Sequence, residues 1–123
     1  MSNKIRAFTD LHAWQEAHAL VVDVYVMTKL LPKEELFGLT SQIRRAAVSI
    51  PSNIAEGFSR SSYKERHQFY SIARGSLTEV QSQLLIARDV HYIDINQCEK
   101  LLLQTETVGR IINGLLKSTR LLS

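Results

Sequence analysis

The sequence predicts an all-α fold: an antiparallel up-down-up-down four-helix bundle whose second helix is kinked at Pro51. Three observations predict it. Glycine and proline are scarce, five and two in 123 residues, while Leu, Ala, Gln, Glu and Arg abound, the composition of a chain that propagates helix. Apolar residues recur every three or four positions through most of the length, the repeat of a helix turning about 100° per residue. The pattern breaks only around Pro32, Gly57–Ser62 and His91–Ile93, and helices joined by such short connections lie antiparallel to their neighbours. There is no strand-like alternation, linker, low-complexity segment or internal repeat. Residues 1–123 therefore read as a single domain with one core.

Residues 1–9 read as a short polar arm, with Thr9 or Asp10 placed to cap the first helix. Leu11, Trp14, His18, Val21, Tyr25 and Thr28 then form a heptad-like seam ending near Leu30, and Ala17, Val22, Val24 and Leu31 widen it. Pro32 stops this helix and Lys33–Gly38 carries the chain round. In the second helix Leu39, Ile43, Ala46, Ile50, Ile54 and Phe58 share one side, with Ala47 close by, the stripe a helix buries. The stripe keeps its register across Pro51, which argues for one long kinked helix. A mid-helix proline cannot donate to the carbonyl of Ala47 and crowds it, at about 3 kcal/mol. Small residues around the bend (Ala46, Ala47, Ser49, Ser52, Ala55, Gly57) leave room for another backbone.

Ser62 with Glu65 is a capping box that opens the third helix, which runs to about Val90. Tyr63, Tyr70, Ala73, Leu77, Val80, Leu84 and Ala87 make its main seam; Phe69, Ile72, Ile86 and Val90 make an adjacent one. Gly75 and Ser76 in mid-helix cost roughly 1 kcal/mol in propensity, which close helix approach usually offsets. Asp94 with Gln97 is a second capping box. The fourth helix carries Cys98, Leu101, Thr105, Val108, Ile112, Leu115 and Leu122, with Leu102, Leu103, Ile111, Leu116 and Leu121 off that seam. The helices together hold more apolar surface than one four-helix core can hide, so self-association is expected.

The balance of 15 basic to 12 acidic side chains gives a mild +3, which permits nucleic-acid contact without demanding it. The charge is not evenly spread. Between residues 44 and 74, six cations (Arg44, Arg45, Arg60, Lys64, Arg66 and Arg74) stand against two carboxylates, Glu56 and Glu65. That surplus of four exceeds the charge of the whole chain, and arginine suits bidentate phosphate contact. These six are the candidate contacts to RNA or DNA, against the competing reading that they pair among themselves, as Glu56 with Arg60 at i,i+4. A second stripe of the second helix, Gln42, Arg45, Ser49, Asn53, Glu56 and Arg60, contains no lysine. Such residues suit fixed hydrogen bonds, so Gln42, Ser49, Asn53 and Glu56 are candidate structural or interface groups as readily as a solvated face.

No catalytic constellation is evident. Arg60 and His67 loosely fit the Arg-x4–6-His signature of metal-independent ribonucleases of the HEPN type, in which histidine moves a proton and arginine steadies phosphate. That is the enzyme alternative to a non-enzymatic protein; a purely structural assembly is the third. His12 and Glu16 could offer two metal ligands but no third follows, so neither metal nor cofactor is expected. Trp14, Tyr25 and Tyr70 lie in helical seams and read as core. The lone Cys98 excludes an internal disulfide and reads as a buried thiol. Met1–Asp10 lacks the apolar centre of a secretory signal, and the longest apolar run, Ala19–Met27, is short and interrupted by Asp23. A cytoplasmic protein with no membrane partner is therefore expected.

The run Gln42-x-Arg44-Arg45-Ala46-Ala47-x-Ser49-Ile50-Pro51-x-Asn53-Ile54-Ala55-Glu56-Gly57, with Trp14-Gln15, Phe37-Gly38-Leu39 and Gly75-Ser76, resembles the four-helix-bundle proteins of 23S rRNA intervening sequences. The accessory variability determinants of diversity-generating retroelements are similar. The likeness spans about residues 8 to 93, and the fourth helix matches only in pattern. It implies a homopentamer with a basic outer surface. For the retroelement branch it also implies binding to nucleic acid and to a reverse transcriptase. His91 stands where a glycine often closes the third helix in this family.

Overall fold

The structure, a computed structural model, describes residues 4–122, with side chains described through Thr119. Among the described residues there are four α-helices and no strand: α1 (His12–Thr28), α2 (Leu39–Ser59), α3 (Tyr63–Asp89) and α4 (Ile95–Leu122). Short 3₁₀ turns at Phe8–Asp10 and Lys33–Glu35 precede α1 and α2. Between α3 and α4, the hydrogen-bonded pairs His67–Thr119, Arg74–Asn113 and Gln81–Thr105 climb one helix as they descend the other. Ser49 on Ser76 and Gly57 against Tyr70 do the same for α2 and α3. Arg44, near the start of α2, donates to the hydroxyl of Thr28 at the end of α1.

Local chemistry sets the helix ends. The amide of Glu65 donates to the Ser62 hydroxyl at 3.1 Å, which itself donates to the Glu65 carboxylate. Asp94 and Gln97 form the full reciprocal box, Gln97 amide to Asp94 Oδ1 at 2.8 Å and Asp94 amide to Gln97 Oε1 at 3.0 Å. At the far end of α3, His91 takes a left-handed φ of 68°. Its amide donates to the Arg88 carbonyl and that of Tyr92 to the Ala87 carbonyl, the Schellman closure in which glycine is the usual residue. Only the first cap differs from expectation. Leu11 occupies the N-cap of α1 with no side-chain bond, because Asp10 Oδ2 accepts instead from the amides of Arg6 and Ala7, closing the 3₁₀ turn. Those two amides hold the Asp10 carboxyl below its ordinary pKa.

The core is contiguous through all four helices. From α2 it takes Ile43, Ala46, Ala47, Ile50 and Ile54, and from α3 Tyr70, Ala73, Leu77, Val80, Leu84 and Ala87, on the stripes the periodicity marks. Fully burying an isoleucine such as Ile50 contributes about 1.5–3 kcal/mol. Pro51 lies buried inside one uninterrupted helix. From α4 come Cys98, Leu101, Thr105, Val108, Ile112 and Leu116. Leu121 and Leu122, also assigned to that helix by pattern, lie outside the described side chains. Burial raises the pKa of the Cys98 thiol, which is aimed at the Leu84 carbonyl. The expectation holds only in part in α1. Its buried residues are Ala13, Ala17, Leu20, Val24, Met27 and Thr28. Of the expected seam, Leu11 and Thr28 are buried and Trp14 and Val21 pack against the core, whereas His18 and Tyr25 are exposed. This helix is apolar nearly all round, so its period fits several stripes and only packing against α2 and α4 selects one.

Close approach falls at Gly57 rather than Gly75. A Cβ on Gly57 would lie 2.6 Å from Tyr70 Cε1 and 3.1 Å from Phe69 Cβ, while one on Gly75 would meet nothing within 4 Å. Tyr70 accordingly packs directly onto the α2 backbone.

Candidate nucleic-acid interface

The six candidate cations do not form one patch. Arg44 and Arg45 lie in the first two turns of α2; Arg60, Lys64 and Arg66 cluster at the α2–α3 corner; Arg74 turns toward α4 and donates to Asn113 Oδ1 at 3.3 Å. A helix rises about 1.5 Å per residue, so roughly 20 Å of α2 separates the first group from the second. At the corner, Arg60 pairs with Glu56 at 3.0 Å and its guanidinium covers the Phe69 ring at 4.7 Å. Arg66 Nε donates to the Arg60 carbonyl at 2.7 Å. A second ion pair joins Arg88 to Asp89, which holds the Asp89 carboxyl below its usual range. Arg44, Arg45, Lys64, Arg66 and Arg74 thus face water or neutral groups. Mutual pairing accounts for one of the six.

The polar stripe divides in the same way. Ser49 shares a hydrogen bond of 2.8 Å with Ser76, and the Asn53 amide donates to both the carbonyl and the hydroxyl of Ser49. Ser49 thus fastens α2 to α3, and Asn53 is spent on Ser49 within α2. Gln42 and Glu56 stay exposed.

Arg60 and His67 do not converge. Phe69, under Arg60, and His67 are two residues apart on α3 and so point about 200° apart around it. His67 Nδ1 lies 3.0 Å from the Thr119 hydroxyl. That hydroxyl is committed as a donor to the Leu116 carbonyl, so Nδ1 carries the proton and donates. The geometry gives the ribonuclease signature no shared centre. No cluster of three His, Cys, Asp or Glu that could hold a metal exists among the described residues.

Periodicity overlooked one feature. Tyr25, Leu36, Phe37, Arg44, Arg45 and Val48 line an open groove of about 500 Å³ where α1, the connecting turn and the start of α2 meet. Phe37 is 93% exposed. Tyr25, expected in the core, is 40% exposed with the Arg44 guanidinium 4.6 Å above its ring. The signal was present as an apolar pair, Leu36-Phe37, in a tight connection where polar residues are usual. The turn itself is pinned by Glu35, whose carboxylate accepts from the Leu39 amide at 3.1 Å and the Tyr92 hydroxyl at 2.8 Å. Those bonds, Tyr92 first, hold the Glu35 carboxyl below its ordinary pKa.

Fold and site together define a class: a small four-helix bundle whose surplus cations are concentrated on its central helix pair and mostly lack acidic partners. The chain belongs to the family of 23S rRNA-intervening sequence proteins, whose sequence profile matches residues 9–114. A protein of unknown function from the S23 ribosomal protein family of Bacteroides thetaiotaomicron shares the fold. It superposes with a TM-score of 0.79 at 21% identity, over 85% of this chain and 98% of that one. No curated protein matches the sequence. No helix among the described residues is long and apolar enough to cross a membrane.

Proposed function

We propose that this protein is a non-enzymatic, cytoplasmic, self-associating bundle that binds RNA or DNA through its surplus cations. The observation that carries the reading is the five cations between residues 44 and 74 that make no ion pair. Arginines left without carboxylates keep their charge and donors available to phosphate. Self-association is supported on α3. Ile72, Ser76, Glu79, Gln83, Ile86 and Val90 recur at alternating spacings of four and three, and Ile72, Ile86 and Val90 are each about half exposed. A second copy packed on this flank would cover Ile72, Ile86 and Val90.

The family resemblance favours a pentamer, in which every copy would present the same cations and avidity would offset a weak single site. A scaffolded partner such as a reverse transcriptase would meet those cations as a repeated band. Filter binding of labelled RNA and DNA at low and high salt tests the nucleic-acid reading: strong retention in dilute buffer that falls steeply with salt is expected, and no retention in dilute buffer overturns it. Light scattering tests assembly, and a monomer at micromolar concentration overturns that part.

A further inference from the structure

We infer that the groove beside Phe37 seats a single strand of nucleic acid, with an unstacked base against the Phe37 ring and the flanking phosphates on Arg44 and Arg45. The inference rests on the nucleic-acid reading above and assigns it a substrate class. Four observations converge on the groove. Its lining contains two arginines and no carboxylate. Arg45 has no partner, and Arg44 is held by the Thr28 hydroxyl and the Tyr25 face, interactions that fix its plane without neutralising it. The Phe37 ring is almost wholly uncovered by its own chain. Thr40 and Ser41, also in the lining, are the second and third residues of α2, and no acceptor in the chain takes their amides. The one nearby carboxylate, Glu35, is turned to the Leu39 amide and Tyr92 and is not part of the lining.

Aromatic faces beside a cationic track bind single strands, because every base has a face to stack and the backbone supplies the charge. A duplex keeps its bases stacked on one another, so it can reach the arginines but not the ring. An acidic peptide would satisfy the arginines equally well. It has less use for an aromatic ring presented beside a fixed guanidinium plane.

Fluorescence anisotropy separates these cases, using a labelled oligouridine and oligothymidine of about 20 nucleotides each and a duplex of the same length. For the single strands, Phe37→Ala is expected to weaken binding about tenfold and Phe37→Tyr to restore it to within about threefold of wild type. The duplex is expected to change by less than roughly twofold in Phe37→Ala, while Arg45→Ala weakens all three probes and lowers the salt slope by about one. Similar effects on the RNA and DNA strands mean that base face and phosphate suffice; an effect confined to one of them still places the strand here and adds a contact to the 2′-hydroxyl or to the thymine methyl. If wild type binds but Phe37→Ala leaves the single strands unaffected, the inference falls and the nucleic-acid reading stands. If wild type binds no probe, both fall. Equal loss of duplex and single strand in Phe37→Ala, together with a smaller particle by light scattering, would make Phe37 a subunit contact and overturn the inference. So would displacement of oligouridine by polyglutamate at matched charge.

Discussion

The two flanks of α2 carry different side chains and use them in opposite ways. Toward α3, Ser49, Asn53 and Gly57 are closed: hydroxyl on hydroxyl, amide on carbonyl, backbone against the Tyr70 ring. Toward the connecting turn, Arg45, Val48 and Phe37 are open, with exposed side chains around a surface groove. The difference teaches that a lysine-free polar stripe does not by itself mark a contact with another molecule. Short polar side chains reach a neighbouring helix of the same bundle and are satisfied there. Long cations and exposed rings are left over, and it is these that remain available to a partner.

The comparison breaks most readily at Gly57. Gly57→Val would drive methyl groups into the Tyr70 ring, with an expected loss of about 3 kcal/mol and a melting temperature lower by roughly 10 °C in calorimetry. An unchanged melting temperature would mean that this flank is not closed. Next in size is Ser49→Ala, which removes the partner of Ser76 and one acceptor of Asn53. Urea denaturation should show a loss of about 1–2 kcal/mol, and a cycle with Ser76→Ala should show that the two losses are not additive. His91→Gly should gain about 1 kcal/mol by relieving the left-handed backbone at the end of α3, read as a later denaturation midpoint with unchanged slope. The smallest effect is expected on the open flank. Phe37→Ala should shift stability by less than about 0.5 kcal/mol, because the ring buries almost nothing in the protomer. A larger loss at high protein dilution would show that the ring packs within the chain.

Much of the architecture could be read from the residues. Ser62-x-x-Glu65 and Asp94-x-x-Gln97 announce helix starts through bonds between near neighbours, and Ile43, Ile50 and Ile54 announce a buried face because the rest of α2 is polar. Of the candidate site, Arg44 and Arg45 were legible as cations. Their meeting with Tyr25 and Phe37 was not, since it joins the end of one helix to the turn and start of the next. Arg60 and His67 looked related by spacing, yet they diverge because two adjacent helices claim opposite sides of α3.

Helix number, helix limits and the inward side of α2 and α3 were thus determined by the sequence alone, because propensity, capping and an unambiguous apolar period act over a few residues. Tertiary structure decided which line of α1 faces inward, which polar groups of α2 are consumed by α3, and which arginines are left without a carboxylate. Those outcomes depend on how each helix is rotated against neighbours distant in the chain, where several packings satisfy the same local pattern and only the shared core selects one.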